Sequence, residues 1–451
     1  MHFDNGEIVI CPPAFSCRTG RPARSRGDVS FGQGCGGTTT GSARNRGPNR
    51  SDDTAIAASA SDRVTGTLVV RPRSEIKDAV RRVRVWDLPT RLFHWLLLGA
   101  VLAALGTELI APPGWLEWHV AAGYAVAALL LFRGVWAFFG SDYSRVASFL
   151  YRPRQTLGYL RDLAKLRPAQ YVGHNPAGAA MIFALVAVLA ALVGTGLVAL
   201  GGQEKQGPVA AIADFALGSG ARSLHSYLAY ALMAMVAAHI AGVIVDGRLH
   251  KSALVRAMIT GWKRVPARLP LAAGRPSNMR AAAVTLAALS APAVIALVLL
   301  SRLPPLGVPA MTPDPTWASE CGSCHVLFHP SLLPRASWAA LMDGLHDHFG
   351  EDAGLAPATA AEIGRFLQTY AAEAWDTKAA HRLSEVSAAD PLRITAAPFW
   401  VRRHRRIDPA IFTSPAVKTK SNCIACHRDA ASGRFDNQAI AIPDSPTGAN
   451  P

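Results

Sequence analysis

Five stretches of the chain are apolar for about twenty residues at a time, and the polar residues that separate them are dominated by Lys and Arg. They run approximately from Leu92 to Ala111, Trp118 to Phe139, Ala177 to Leu200, Leu224 to Val245 and Ala281 to Leu300. At 1.5 Å per residue, about twenty apolar residues cross a hydrocarbon core, so each stretch predicts a transmembrane helix. The flanks have a different texture. Residues 1–80 are rich in Arg, Gly, Ser and Thr without a sustained apolar period, and they lack the apolar core of a signal peptide; they predict a disordered basic tail. Residues 303–316, within SRLPPLGVPAMTPDP, predict a short stiff linker, and residues 317–442 have the composition of a small soluble domain.

The basic residues supply an orientation. RPRSEIKDAVRRVRVWDLPTR precedes the first span, six Lys and Arg from Arg145 to Arg167 follow the second, and eight from Arg248 to Arg280 follow the fourth. The links after the first and third hold almost none, which places the N-terminus in the cytoplasm and the C-terminal domain outside. The net charge of +15 therefore reports membrane topology, and no nucleic-acid-binding motif accompanies it.

The fourth span carries His225 and His239, fourteen residues apart. On a helix they share nearly one face, about 21 Å apart along the axis. A histidine within a span is costly unless it is used. His94 lies at the cytoplasmic start of the first span and His119 at the outer start of the second. His94 therefore matches His239 in depth, and His119 matches His225. Two pairs at two depths suit two haem irons, one per leaflet; a proton relay in a transporter is the rival reading. Gly99, Gly123 and Gly242 make room for helix contact or for a flat macrocycle. Arg133 is expected to snorkel to the interface, with a haem propionate as its second possible partner, and Trp86, Trp95, Trp115, Trp118 and Trp136 read as interfacial anchors. His174 and His250, in basic links, read as surface residues.

With RVWDLPTRLFHW, WHVAAGYAVAALLLFRGVWAFFG and the His225/His239 helix, residues from about 83 to 262 resemble the four-helix di-haem cytochrome b family that includes hydrogenase cytochrome b subunits. The resemblance implies two b-type haems that exchange electrons with the quinone pool or with a soluble redox partner.

The soluble domain contains Cys321-Gly-Ser-Cys324-His325 and Cys423-Ile-Ala-Cys426-His427. Two thiols separated by two residues reach the two vinyl groups of one haem, and the adjacent His is delivered to the iron, so each is a c-type haem attachment motif. A four-cysteine zinc site is the rival. Cys11, Cys17 and Cys35, at irregular spacing in the tail, read as free thiols. For the sixth ligands the candidates are His329, His346, His348, His381 and His404, since no Met follows Met342.

CGSCH, LMDGLHDHFGEDA, PLRIT, FWVRRHRR and CIACHRDAASGRFD occur in the order found in the periplasmic di-haem cytochrome c family known as DHC, which residues 313–442 resemble. The resemblance implies bis-histidine ligation, with His348 and His404 at the matching positions. Closeness in sequence assigns His348 to the first haem and His404 to the second. His329 is too near its own proximal ligand to cross the haem, and His346 and His381 read as surface residues. The basic cluster around His404, Arg402, Arg403, Arg405 and Arg406, reads equally as a solvated face or as a surface toward a redox partner or haem propionates.

The expected architecture is an all-α integral membrane protein of a bacterial inner membrane: a four-helix di-haem b bundle (81–265), a fifth transmembrane helix (280–302) and a small, mainly α di-haem c domain outside. The expected function is electron transfer through two haem b and two haem c, from reduced quinone to a periplasmic c-type cytochrome. The family resemblance implies a monohaem, oxygen-binding partner of that kind. A cytochrome b subunit of a dehydrogenase or hydrogenase, and a histidine-based transporter or redox sensor, are the alternatives. No nucleotide loop or hydrolytic triad indicates catalysis beyond a quinol:cytochrome c oxidoreductase type of exchange.

Overall fold

The computed structural model describes residues 79–110 and 115–443; Cys11, Cys17, Cys35 and most of the expected basic tail lie outside the described residues. Strand β1 (Val80–Arg84) leads into helix α1 (Leu88–Leu109), whose start is set by Asp87 accepting from Thr90 N at 2.8 Å and by Pro89 in the first turn. Helix α2 (Leu116–Phe139) stops at Gly140, and a short amphipathic helix α3 (Pro153–Ala164) follows. Helices α4 (Pro176–Gln203) and α5 (Phe215–Leu249) begin at side-chain caps from Asn175 and Asp214. Then come α6 (Leu254–Thr260), strand β2 (Trp262–Pro266) and helix α7 (Met279–Leu300). Helices α1, α2, α4, α5 and α7 are long and apolar enough to cross a membrane.

Helix α5 begins nine residues before the expected Leu224 and runs to Leu249. Gly218 does not break it, because that glycine serves packing. A Cβ on Gly218 would stand 2.7 Å from the Gly202 Cα, so the two glycines let α4 and α5 cross with backbones in contact. Lower down, Val126, Leu189, Leu192 and Leu232 join α2, α4 and α5 in one buried cluster, with Leu97 and Val101 of α1 against it. Helix α7 touches the bundle near its start, Ala282 and Leu286 meeting Val135 and Trp136, and leaves most of its apolar surface outward, as a lipid-facing helix does.

One end of the bundle carries a cap that periodicity does not reveal. β1 and β2 pair antiparallel, Val80 opposite Pro266 and Arg84 opposite Trp262, and Gly261, at φ +84°, turns α6 into β2. Val85, Trp86, Val172, Ala257 and Val265 form its core. Asp87 ties the cap to the helices: its carboxylate accepts from Ser141 Oγ at 2.6 Å, Ser144 Oγ at 2.9 Å and the Trp136 indole N–H at 3.2 Å. Burial opposes its charge, but the Ser141, Thr90 and Ser144 hydrogen bonds hold this carboxyl below the usual range. Trp86 and Trp136 are therefore not interfacial anchors as expected: they are 8% and 1% exposed, because one fills the cap core and the other serves Asp87. Trp95, Trp115 and Trp118 are exposed.

The C-terminal domain is built from short helices: α8 (Pro315–Cys321), α9 (Arg335–Asp343), α10 (Pro357–Thr369), α11 (Lys378–Leu383), α12 (Pro398–His404) and α13 (Pro409–Phe412), joined by 3-10 turns. Trp317, Trp338, Ile363 and Leu367 form one buried cluster, and Leu332, Ala379, Leu383 and Ala397 another. The loop between α4 and α5 docks this domain at the end of the bundle opposite the cap. There Lys205 meets Asp376 at 2.5 Å and Lys378 meets Glu204 at 2.5 Å.

Candidate haem sites

His119 lies in the first turns of α2 and His225 three turns into α5, and the bundle brings their rings together with centroids 6.0 Å apart. Each ring is oriented from behind. His119 Nδ1 lies 3.0 Å from the Ala104 carbonyl and 3.3 Å from Thr107 Oγ1; His225 Nδ1 lies 3.0 Å from the Leu192 carbonyl and 3.2 Å from Thr195 Oγ1. A carbonyl can only accept, so Nδ1 carries the proton in both and Nε2 keeps its lone pair free. A cavity of about 340 Å³, lined by both histidines and by Gly123, Gly196 and Leu200, opens beside them. A Cβ on Gly123 would meet nothing within 4 Å, so that glycine leaves room, whereas one on Gly196 would press the His225 ring.

His94 of α1 and His239 of α5 make up the second candidate membrane site. Its surroundings hold enclosed polar atoms without hydrogen-bond partners: His94 Nδ1, Arg133 Nη1 and His174 Nδ1. Two expectations fail here. Arg133 does not snorkel outward; its guanidinium sits 5.7 Å over the Phe149 ring with one nitrogen wholly enclosed. His174 is no surface residue: it packs on Trp86 at 4.6 Å and Phe149 at 5.0 Å, because the cap folds its link back over the helix ends. Burial first, then the Arg133 and Lys263 charges and His239, push His174 down to about 3, so it stays neutral. His250 is likewise held inside, between the Pro168 carbonyl at 3.2 Å and Asp246 at 3.3 Å. Nothing in the local sequence separates these two from solvated histidines, since both packings come from the distant chain.

In the C-terminal domain, α8 ends at Cys321 and the chain turns through Cys324 to His325, whose ring stands 6.1 Å from that of His348 at an interplanar angle of 22°. The second motif forms a 3-10 turn (Cys423–Ala425), and the His427 ring lies 6.2 Å from His404. His404 ends α12, stacked at 4.2 Å on Trp400, with Nδ1 2.9 Å from the Trp400 carbonyl. His325 Nδ1 is turned the same way, 2.8 Å from the Val326 carbonyl. Burial raises the Cys321 and Cys426 thiols and takes Cys423 to about 11, and among the described residues no three His, Cys, Asp or Glu side chains converge on a metal ion. His329 is buried at 2% exposure, its Nδ1 2.8 Å from Ser331 Oγ. His346 is exposed beside Asp352. His381 is exposed as expected, and it also stacks at 4.4 Å on Phe215 and bonds Asp376 at 2.7 Å, at the joint between the domains.

Two imidazoles that ligate one metal from opposite sides, each nitrogen about 2 Å from it and each ring centre about 1 Å further back, have centroids roughly 6 Å apart. Three of the four sites have this separation, so their residues fit a six-coordinate iron.

Comparison with known proteins follows the same division. The family model described as prokaryotic cytochrome b561 matches residues 85–261, and that described as dihaem cytochrome c matches residues 317–435. The chain joins a cytochrome b561 to a dihaem cytochrome c. The b561 domain is 28% identical over 216 residues to a probable Ni/Fe-hydrogenase B-type cytochrome subunit of Bradyrhizobium diazoefficiens, covering 40% of this chain and 86% of that one. It is 25% identical to the counterpart of Azotobacter vinelandii, covering 40% and 88%. The dihaem domain is 31% identical to the diheme cytochrome c of Shewanella baltica OS155, covering 30% of this chain and 95% of that one at a TM-score of 0.24. To the diheme cytochrome c of Rhodobacter sphaeroides it is 35% identical, covering 28% and 98% at a TM-score of 0.24. The protein is thus an integral membrane cytochrome that carries haem b and haem c and works in haem-mediated electron transfer.

Proposed function

We propose that the protein carries four haems and moves electrons across a bacterial inner membrane, from reduced quinone on the membrane side to a small c-type cytochrome in the periplasm. His94 and His239 would hold the inner haem b and His119 and His225 the outer one. His325 with His348, and His427 with His404, would hold two haems c through Cys321 and Cys324 and through Cys423 and Cys426. Haem supplies reversible one-electron chemistry at the iron, and bis-histidine ligation leaves no position open for a gas or substrate. The chain's own residues orient the His119, His225, His325 and His404 imidazoles through Nδ1 and so leave their Nε2 unprotonated. Arg133 and His174 are placed to meet propionates of the inner haem, which would relieve their unpartnered nitrogens. The observation that carries the reading is the recurrence of one ring separation, 6.0, 6.1 and 6.2 Å, at three sites built from unrelated local structures.

The basic links and the cap share one end of the bundle and the dihaem domain sits at the other, which supports a cytoplasmic N-terminus and a periplasmic C-terminal domain. Likeness to hydrogenase cytochrome subunits favours a second reading, a membrane subunit that takes electrons from a catalytic partner. Co-purification of a dehydrogenase or hydrogenase subunit from native membranes separates the two. For the main reading, pyridine haemochrome spectra should give equal haem b and haem c, and His239→Ala should remove one haem b while both haems c stay attached. An unchanged b spectrum in that variant would overturn the ligand set.

A further inference from the structure

We propose that electrons leave the membrane domain through the second c site, Cys423 to His427, and reach the first, Cys321 to His325, only afterwards. The order along the electron path is then the reverse of the order along the chain. This rests on the four-haem reading above.

The outer membrane cavity and the second c site are joined by two short connections. Glu204 lines the cavity between His119 and His225, and its backbone carbonyl, with that of Lys205, faces the Arg434 guanidinium at 3.4–3.5 Å. The Gln206 side-chain amide donates to Asp436. Phe435, held between those two residues, lies edge-on to the His427 ring at 5.1 Å. On the other side the turn Asn437–Ala439 packs against α2, the helix that carries His119. The chain beyond it returns to the motif, Ala441 N donating to the Cys426 carbonyl at 2.8 Å. Among the described residues no hydrogen bond or ring contact joins the first motif, or the loop of His348, to the membrane helices.

The two c sites stand in series. Phe328 lies 5.2 Å from the His325 ring and packs in the same apolar cluster as Trp400 and Phe435, which flank His404 and His427. The first site also faces outward: Cys324 and His325 are exposed, and Phe349, beside His348 at 5.0 Å, is 49% exposed. Cys426 and His427 are half-buried.

The joint is fixed rather than a swinging tether. The Lys205 side chain is 2% exposed where it meets Asp376, and Asp376 also accepts from the Phe215 N–H at 2.9 Å. Gly307, at φ +70°, passes so close to Asp376 that a Cβ there would collide with it. Removing one partner of a buried pair strands the other charge, so the two domains hold each other in one geometry.

The balance is simple. A quinol would supply two electrons and release two protons; the electrons would pass one at a time through the haems these residues would hold, and two equivalents of a one-electron metalloprotein outside would each accept one. No bond is formed or broken within the chain.

The test uses the full-length protein in membranes, rapidly mixed with a quinol. His348→Met gives the first c haem a methionine ligand and so a spectrum of its own, while both haems stay covalently attached. Methionine also raises the potential of the haem it binds, so the order is read from a second variant in the same background, Cys423→Ala with Cys426→Ala, which removes the second c haem. The expected result is that the altered c spectrum then no longer reduces in the time it takes when the second haem is present. Equally fast reduction of the altered haem without the second one overturns the order and leaves the ligand reading intact. A variant whose spectrum does not change shows instead that His348 is not a ligand, and the four-haem reading fails at that site. Lys205→Met with Lys378→Met should slow reduction of both haems c with both spectra unchanged, and unslowed reduction in that variant would overturn the role of the joint.

Discussion

The b561 and dihaem domains reach the same ring separation by opposite means. In the membrane, His119 and His225 stand on two long regular helices, and the spacing follows from helix packing at Leu192, Leu232 and Val126. In the dihaem domain, His325, His348 and His427 stand on turns, His404 at the end of a seven-residue helix, and the spacing follows from the buried clusters around Trp338 and Leu332. Lipid forbids unsatisfied backbone, so the membrane half has to use helices and to obtain its ligands from their period. Water permits turns, and there the cofactor can be bound covalently to a five-residue motif. Regularity does the positioning in one half and packed turns do it in the other, where covalent attachment would add retention of the cofactor.

The sharpest way to break that contrast is to remove one ligand from each half. His225→Ala should cost the outer haem b altogether, because two nitrogen ligands and packing are all that retain it. His404→Ala should keep haem at its site, since Cys423 and Cys426 remain, and should open one position to carbon monoxide. Haem staining of the denatured chain and a carbon monoxide difference spectrum read both outcomes. Loss of covalent haem from His404→Ala would mean that the distal ligand, and not the attachment motif, organises the outer site.

The same contrast explains what was legible in the sequence. The five spans, the His225/His239 spacing and the two Cys-x-x-Cys-His motifs are local patterns, and local patterns are what a linear reading sees. His348 and His404 needed the family resemblance, because five histidines were available and no period selects among turns. Missed altogether were the β1/β2 cap, the burial of Trp86 and Trp136, the packing of His174 against Trp86 and of His250 against Asp246, and the Lys205–Asp376 joint. Each pairs residues from distant parts of the chain: Arg84 with Trp262, Asp87 with Ser141, Lys205 with Asp376. Composition presents their members as loop residues, and only the closed bundle makes them partners.

A smaller effect separates the halves by pH. His329 lies in the core of the dihaem domain, its Nδ1 accepting from the Ser331 backbone N–H at 3.3 Å, and burial pushes it down to about 4. The unfolded chain takes up that proton below about pH 6.5, whereas the folded one resists until about pH 4. The stabilisation is therefore complete above pH 6.5 and is lost as pH falls toward 4, about 3 kcal/mol in all. Thermal melts followed at the c haem bands should show this loss, and His329→Asn should flatten it. A wild-type melting profile that is flat over this range would show that His329 does not titrate on unfolding.

The smallest effect sits behind His225. Thr195 already donates its hydroxyl to the Ala191 carbonyl at 2.8 Å, so toward His225 Nδ1, at 3.2 Å, it can only accept, sharing that proton with the Leu192 carbonyl at 3.0 Å. Thr195→Val removes the weaker of two acceptors and keeps a similar shape. The carbonyl that remains still fixes the tautomer and the ring plane, so the outer haem b should stay bound. Its dissociation should rise by less than about tenfold, the lower edge of what outer-shell partners of a metal-bound histidine contribute. Haem transfer to excess apomyoglobin measures this. If Thr195→Val lost the haem as completely as His225→Ala, the hydroxyl rather than the helix backbone would orient the ring. The membrane half would then depend on a single side chain, much as the outer half depends on its cysteines.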